Sequence, residues 1–268
     1  MLFLDVLLVA LIHAVAEVLP LGGPGSIALF TRMAPGSVEA SMLAVAVQMG
    51  ILAALTCYFW RDVLGMIVGV GRLPKGRLDP GGRLALQLAL GSLPALALVV
   101  FAPAWVNGGM GMAVPVVAGL VALFGLLLLL ADHLGVTVHR IEHLGWRQLA
   151  VVGLLQAFAL LPGIGRVGLG VTAARLLGYE RRDAARLALL LLLPLLAAQV
   201  VMTLRLLSGA VDLHFSSDML LVTGGVFVVA WGLVAGMMGW LRRHGFGPFG
   251  WARVAVGAGC AVWIFIFG

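Results

Sequence analysis

The sequence predicts an all-α polytopic membrane protein: an inverted repeat of six full transmembrane helices and two re-entrant helical hairpins, in one integral membrane domain over residues 1–268. Three observations carry this. The chain is 62% hydrophobic and only 10% charged, a composition that belongs in lipid rather than in water. Two apolar stretches are interrupted by clusters of Gly and Pro, which a continuous helix does not accommodate. Threading the chain through a bilayer puts nearly all its basic residues on one face. The first repeat is read as about residues 1–110 and the second as about 111–268, following the rule that such repeats place similar elements in opposite orientations.

The elements follow in order. Residues 2 to 19 form an apolar arm, broken at Leu19-Pro20-Leu21-Gly22-Gly23-Pro24-Gly25, and a shorter apolar piece runs from Ser26 to Met33. Ala14-Val15-Ala16 has the small-x-small form of a signal-peptidase site, but no basic residue precedes it and Asp5 lies inside the run, so the N-terminus is read as uncleaved. Val38 to Trp60 is a span ending in the aromatic belt Tyr58-Phe59-Trp60 and the positive stop Arg61. Arg61 to Arg83, with Arg72, Lys75 and Arg77 among Gly and Pro, reads as a loop. Further spans are Leu84 to Trp105, Gly111 to Asp132, Ala184 to Leu207, Met219 to Leu241 and Trp251 to Phe267.

Between the third and fourth spans lies the second hairpin, Gly153 to Gly170, which breaks at Pro162-Gly163 and restarts beyond Gly165-Arg166. Each arm has about 13 apolar residues, roughly 20 Å of helix against a hydrocarbon core of roughly 30 Å. Neither arm crosses alone, so the broken tip lies at membrane depth inside protein or a water-filled cavity.

If both hairpins return to the side they entered, one face receives Arg61, Arg72, Lys75, Arg77, Arg83, Arg140, Arg147, Arg175, Arg181, Arg182, Arg186, Arg242, Arg243 and Arg253. The other receives Arg32 and Arg205, which makes the first face cytoplasmic. The net charge of +6 is thus a matter of topology, and nucleic acid is not an expected partner. Cys57 and Cys260 sit in separate apolar runs and are read as small buried hydrophobes. His133, His139 and His143, with Asp132 and Glu142, read as a solvated loop rather than a zinc cluster.

The candidate chemistry lies at the two breaks. Arg166 is a permanent cation beside free backbone N–H groups, which suits an anionic ligand. Gly22, Gly23 and Gly25 in the first break, and Gly163, Gly165 and Gly168 in the second, are the backbone part of that pocket. His13 and Glu17 are four apart on one helix face just before the first break, and Ser26 follows it. Gln48 and Gln156 are amides in apolar helices that line the pocket or bond between helices. An acid and an arginine at membrane depth mark a functional site, or else a structural ion pair.

These residues resemble the bacterial undecaprenyl-diphosphate phosphatases of the bacitracin-resistance type, over nearly the whole chain. The family's first signature, Glu-Gly-x-x-Glu-Phe-Leu-Pro-x-Ser-Ser-x-Gly-His, is matched by the stretch from His13 to Ser26, and its second, Pro-Gly-x-Ser-Arg-Ser-Gly, by Pro162 to Gly168. Gln48 to Ala53, Phe59-Trp60-Arg61, Gly91 to Ala95 and Gly153 to Ala157 resemble other family segments. The resemblance implies inverted repeats with re-entrant helices, an outward-opening site in the bacterial inner membrane, and hydrolysis of a C55 lipid diphosphate to its monophosphate in lipid-carrier recycling. Glu17, Arg166 and the Pro and Gly framework match, whereas His13 stands at the family's first carboxylate, Gly22, Gly23 and Gly165 at serines, Val167 at a serine and Ser26 at the histidine.

Two functions stay open on this footing. As a phosphatase, Arg166 and the tip amides stabilise the transferred phosphoryl group, Glu17 holds a divalent cation (magnesium or calcium) or acts as base, and His13 or Ser26 supplies an acid, base or nucleophile. As a carrier, the same pocket moves a polyprenyl phosphate without cleaving it. Either way the partners are a polyprenyl phosphate or diphosphate and the membrane lipids around it, with a homodimer left open.

Overall fold

A computed structural model describes residues 3–22, 38–101, 112–208 and 217–267. The tip residues Gly23, Gly25 and Ser26, and the rest of the second arm of the first hairpin, lie outside the described residues. The architecture is all helical: α1 Phe3–Val18, α2 Val38–Tyr58, α3 Trp60–Arg72, α4 Pro80–Phe101, α5 Val114–Leu134, α6 Trp146–Phe158, α7 Arg166–Leu176, α8 Arg181–Ser208, α9 Ser217–Trp240 and α10 Gly247–Phe267. Among the described residues five helices are long and apolar enough to cross a membrane, those of α2, α4, α5, α8 and α9. The chain is therefore a membrane protein, and α10 adds a further apolar helix of 21 residues.

The centre of the bundle is α8. Its run Leu187 to Leu192 is buried on every face, as expected of a helix that is hydrophobic all round. It packs against α2, α4 and α7, while α7 also touches α1, α5 and α6. The short helix that begins with Arg166 is thereby enclosed by protein, and every residue from Arg166 to Arg175 is buried. Around this centre, α9 covers α1 and α2, and α10 lies along α5.

The segment from Arg61, expected to be a loop, is instead helical through Arg72. Its glycines do not break it because they serve as contact points: a Cβ on Gly69 would stand 2.1 Å from the Gly82 nitrogen, and one on Gly81 2.2 Å from the Gly65 carbonyl oxygen. Close backbone approach through small residues joins α3 to α4, and Leu64, Ile67, Val68 and Val70 are left exposed on the outside. Asp79 starts α4 by accepting from the Gly82 N–H at 2.8 Å, a side-chain N-cap ahead of Pro80.

Three other expectations are corrected. Cys57 and Cys260 are exposed on helix surfaces, because each falls on the outward side of its helix. Asp132 is buried rather than part of a solvated loop: it pairs with Arg175 at 3.3 Å and Arg181 at 2.7 Å and accepts the Phe246 N–H at 2.9 Å. That last bond fixes the chain just before α10, which begins four residues ahead of the expected Trp251. Arg253, sorted from sequence onto the cytoplasmic face, is inside the protein and only 1% exposed.

Candidate functional site

The second break is built from its own sequence. Pro162 disfavours helical geometry at Leu161, so α6 ends at Phe158 and the chain descends through tight turns, with Leu161 N–H donating to Phe158 O at 3.1 Å and Ile164 N–H to Leu161 O at 3.3 Å. Gly163 and Gly165 carry φ of 87° and 76°, the left-handed region that an L side chain resists. Arg166 then opens α7, whose first backbone N–H groups have no carbonyl one turn back to receive them.

The first break arrives at the same place. Gly22 has φ of 95°, and a Cβ on Gly165 would stand 2.6 Å from the Gly22 Cα. The two interrupted segments therefore touch backbone to backbone, and neither position has room for a side chain. A Cβ on Gly22 would lie 3.0 Å from the Gly163 carbonyl oxygen.

This contact brings Glu17 and Arg166 together. Arg166 Nη1 lies 3.3 Å from Glu17 Oε1, with the side chains 4% and 2% exposed respectively. The same Nη1 donates to Gln199 Oε1 at 2.9 Å. Among the described residues neither Glu17 oxygen accepts a hydrogen bond, and Arg166 Nε donates none. A buried acid and a buried cation with hydrogen-bonding capacity to spare are costly as a purely structural pair. They are suited to a ligand that carries both negative charge and oxygen atoms. His13 is buried one turn before Glu17 and feels the charges of both Glu17 and Arg166.

The remaining expected residues divide. Gln156 is buried with Nε2 unpartnered, and it lies against Gly170, whose Cβ would be 3.3 Å from that nitrogen. It therefore sits one turn beyond Arg166 along α7. Gln48 is buried on α2, its Oε1 without a hydrogen-bond partner among the described residues. Gly168 has a cation against it: a Cβ there would stand 2.3 Å from Arg253 Nη1.

Two residues were missed from sequence. Gln199 carries the same signal as Gln48 and Gln156, an amide in an apolar helix, and α8 turns it onto Arg166. Arg253 reaches the break from α10, and its Nη2 donates to Gly163 O at 2.9 Å and to Ile164 O at 2.8 Å. Its signal was a lone cation six residues inside an apolar helix, obscured by its nearness to the helix start.

Residues 6–259 match the family model described as "Bacitracin resistance protein BacA". The chain is 42% identical over 260 residues to "Undecaprenyl-diphosphatase 1" of Paramagnetospirillum magneticum, covering 96% of each chain. It is 41% identical over 264 residues to "Undecaprenyl-diphosphatase 1" of Rhodospirillum rubrum, covering 96% of this chain and 94% of that one. A third relative, "Undecaprenyl-diphosphatase" of Ruegeria sp., is 35% identical over 258 residues, covering 95% and 96%. On a match of this extent the chain belongs to the BacA family.

Proposed function

We propose that this protein hydrolyses a long-chain polyprenyl diphosphate to the monophosphate in the bacterial inner membrane, with its site opening to the outer face. The observation that carries the reading is the buried Glu17–Arg166 pair at 3.3 Å, standing where an interrupted helix restarts and keeping free hydrogen-bonding capacity on both partners. The names printed for the relatives supply the substrate class.

The geometry suits the reaction in a definite way. Water adds to the terminal phosphorus, the bridging P–O bond breaks, and inorganic phosphate leaves the lipid monophosphate. Negative charge builds on the phosphoryl oxygens and the bridging oxygen, and Arg166 with the first-turn amides of α7 offers preorganised donors to that charge. His13, buried one turn before Glu17, is assigned to take the proton from the attacking water. Gln199 holds the Arg166 guanidinium in orientation.

A divalent cation, magnesium or calcium, fits the donor set. Both Glu17 oxygens are buried and, among the described residues, accept no hydrogen bond, and such hard oxygens with substrate phosphate are what these ions take. Bound there, the ion would neutralise phosphate charge. Among the described residues no three His, Cys, Asp or Glu side chains converge, so Glu17 is the residue assigned to hold it.

The topology proposed for this function is six spans and two re-entrant hairpins in inverted repeats, about 1–110 and 111–268. Supporting it, α6 has 13 residues and α7 has 11, about 20 Å and about 16 Å of helix, each short of a bilayer.

The test is phosphate release from a C55 polyprenyl diphosphate by detergent-purified protein with magnesium or calcium. Release by wild type, reduced at least about 100-fold in Arg166→Ala, is the expected outcome. No release, together with tight binding of polyprenyl phosphate that Arg166→Ala weakens, would assign the protein to the carrier function instead.

A further inference from the structure

Arg253 is 1% exposed, and among the described residues no carboxylate lies within ion-pair distance of it. Its partners are backbone carbonyls: Gly163 O at 2.9 Å, Ile164 O at 2.8 Å and, at the limit of contact, Val121 O at 3.5 Å. Among the described residues its Nη1 has no hydrogen-bond partner. A guanidinium buried without a counter-ion is expensive, and an apolar side chain of similar volume serves packing better. The charge is therefore retained for what it touches, and it touches consecutive carbonyls of the break.

Those bonds have a geometric consequence. In a trans peptide the C=O and N–H point in opposite directions. Turning the Ile164 carbonyl onto Arg253 thus turns the Gly165 N–H away from it. Arg253 stands where the two breaks meet: its Nη2 lies 3.6 Å from the position of a Gly22 Cβ. Its Nη1 lies 2.3 Å from the position of a Gly168 Cβ.

We infer that Arg253 is a positioning residue: it clamps the Gly163–Ile164 carbonyls where the two breaks meet, so that the α7 amides and the Arg166 guanidinium hold the geometry the phosphoryl group requires. The inference rests on the phosphatase reading. Its effect belongs in kcat, because a clamp that never touches substrate alters how well the transition state is met rather than how tightly the lipid is held.

The experiment compares wild type, Arg253→Met and Arg253→Lys for melting temperature in detergent and for kcat and KM of phosphate release from a C55 diphosphate. Arg253→Met is expected to melt at or above the wild-type temperature, since it removes an unpaired buried charge, while kcat falls about 100-fold and KM stays within about threefold. Arg253→Lys keeps the charge but not the planar fork, and its kcat is expected to lie between the two. Gly168→Ala, which crowds Nη1, is expected to lower kcat in the wild-type background and to add nothing to Arg253→Met.

A wild-type kcat in Arg253→Met overturns the inference, as does a raised KM with kcat unchanged, which would make Arg253 a substrate contact. Should Arg253→Met fail to fold, Arg253→Lys decides: lowered kcat at unchanged melting temperature supports the clamp, and wild-type kcat refutes it. Absence of release by wild type removes the phosphatase reading and this inference together, whereas an active wild type with unaffected variants removes the inference alone.

Discussion

At the scale of single residues, Glu17 and Arg166 are coupled by burial. Removing one partner leaves the other charged and unpaired in a medium that solvates it poorly, so Glu17→Ala is expected to cost about 3–5 kcal/mol of stability, measured by unfolding in detergent. Gly165→Ala is expected to be destabilising by more than the roughly 1–2 kcal/mol of a left-handed alanine, because its Cβ would also meet Gly22 at 2.6 Å; a wild-type melting temperature in that variant would refute the backbone contact. Glu17 and Arg166 were legible from sequence because an ionisable side chain in an apolar run has few reasons to be there. Gln199 and Arg253 were not, since their importance comes from which neighbour each meets, and that is decided by how α8 and α10 are rotated.

At the scale of elements, the same principle explains what was read correctly and what was not. The break after α6 was visible because Pro162 and the positive-φ glycines Gly163 and Gly165 act through local backbone geometry. Helix α3 was hidden because its glycines resemble breakers, whereas they are the contact surface with α4. Gly69→Leu is accordingly expected to separate α3 from α4 and lower the melting temperature; no change would count against the close approach at 2.1 Å. The start of α4 adds a pH dependence. The Gly82 N–H above all, helped by Arg72, holds the Asp79 carboxyl below its ordinary range. A carboxyl whose folded pKa is depressed contributes fully above the unfolded value of about 3.9 and loses that contribution as pH falls through the folded one. Asp79→Ala should therefore melt below wild type at neutral pH, and the gap should close in acid; a gap unchanged by pH would show that Asp79 acts without its charge.

At the scale of the whole molecule, composition alone was enough to place the chain in a membrane, and the long apolar helices agree with it. Composition could not say which polar groups turn inward, and Arg253 was misplaced for that reason. The orientation proposed from the sorted charges has its own test. With Cys57 and Cys260 replaced, Lys75→Cys and Arg242→Cys are expected to resist a membrane-impermeant maleimide in intact cells while Arg205→Cys reacts; the reverse pattern would invert the topology. The central claim is that one acid and one guanidinium, joined where two interrupted helices touch, act together on a lipid diphosphate. The most direct measurement is phosphate release by Glu17→Gln, Arg166→Lys and the double variant, each matched to wild type in melting temperature. Residues acting as a unit should give at least about a 100-fold loss in each single variant and little further loss in the double. Wild-type release by either single variant would contradict the account.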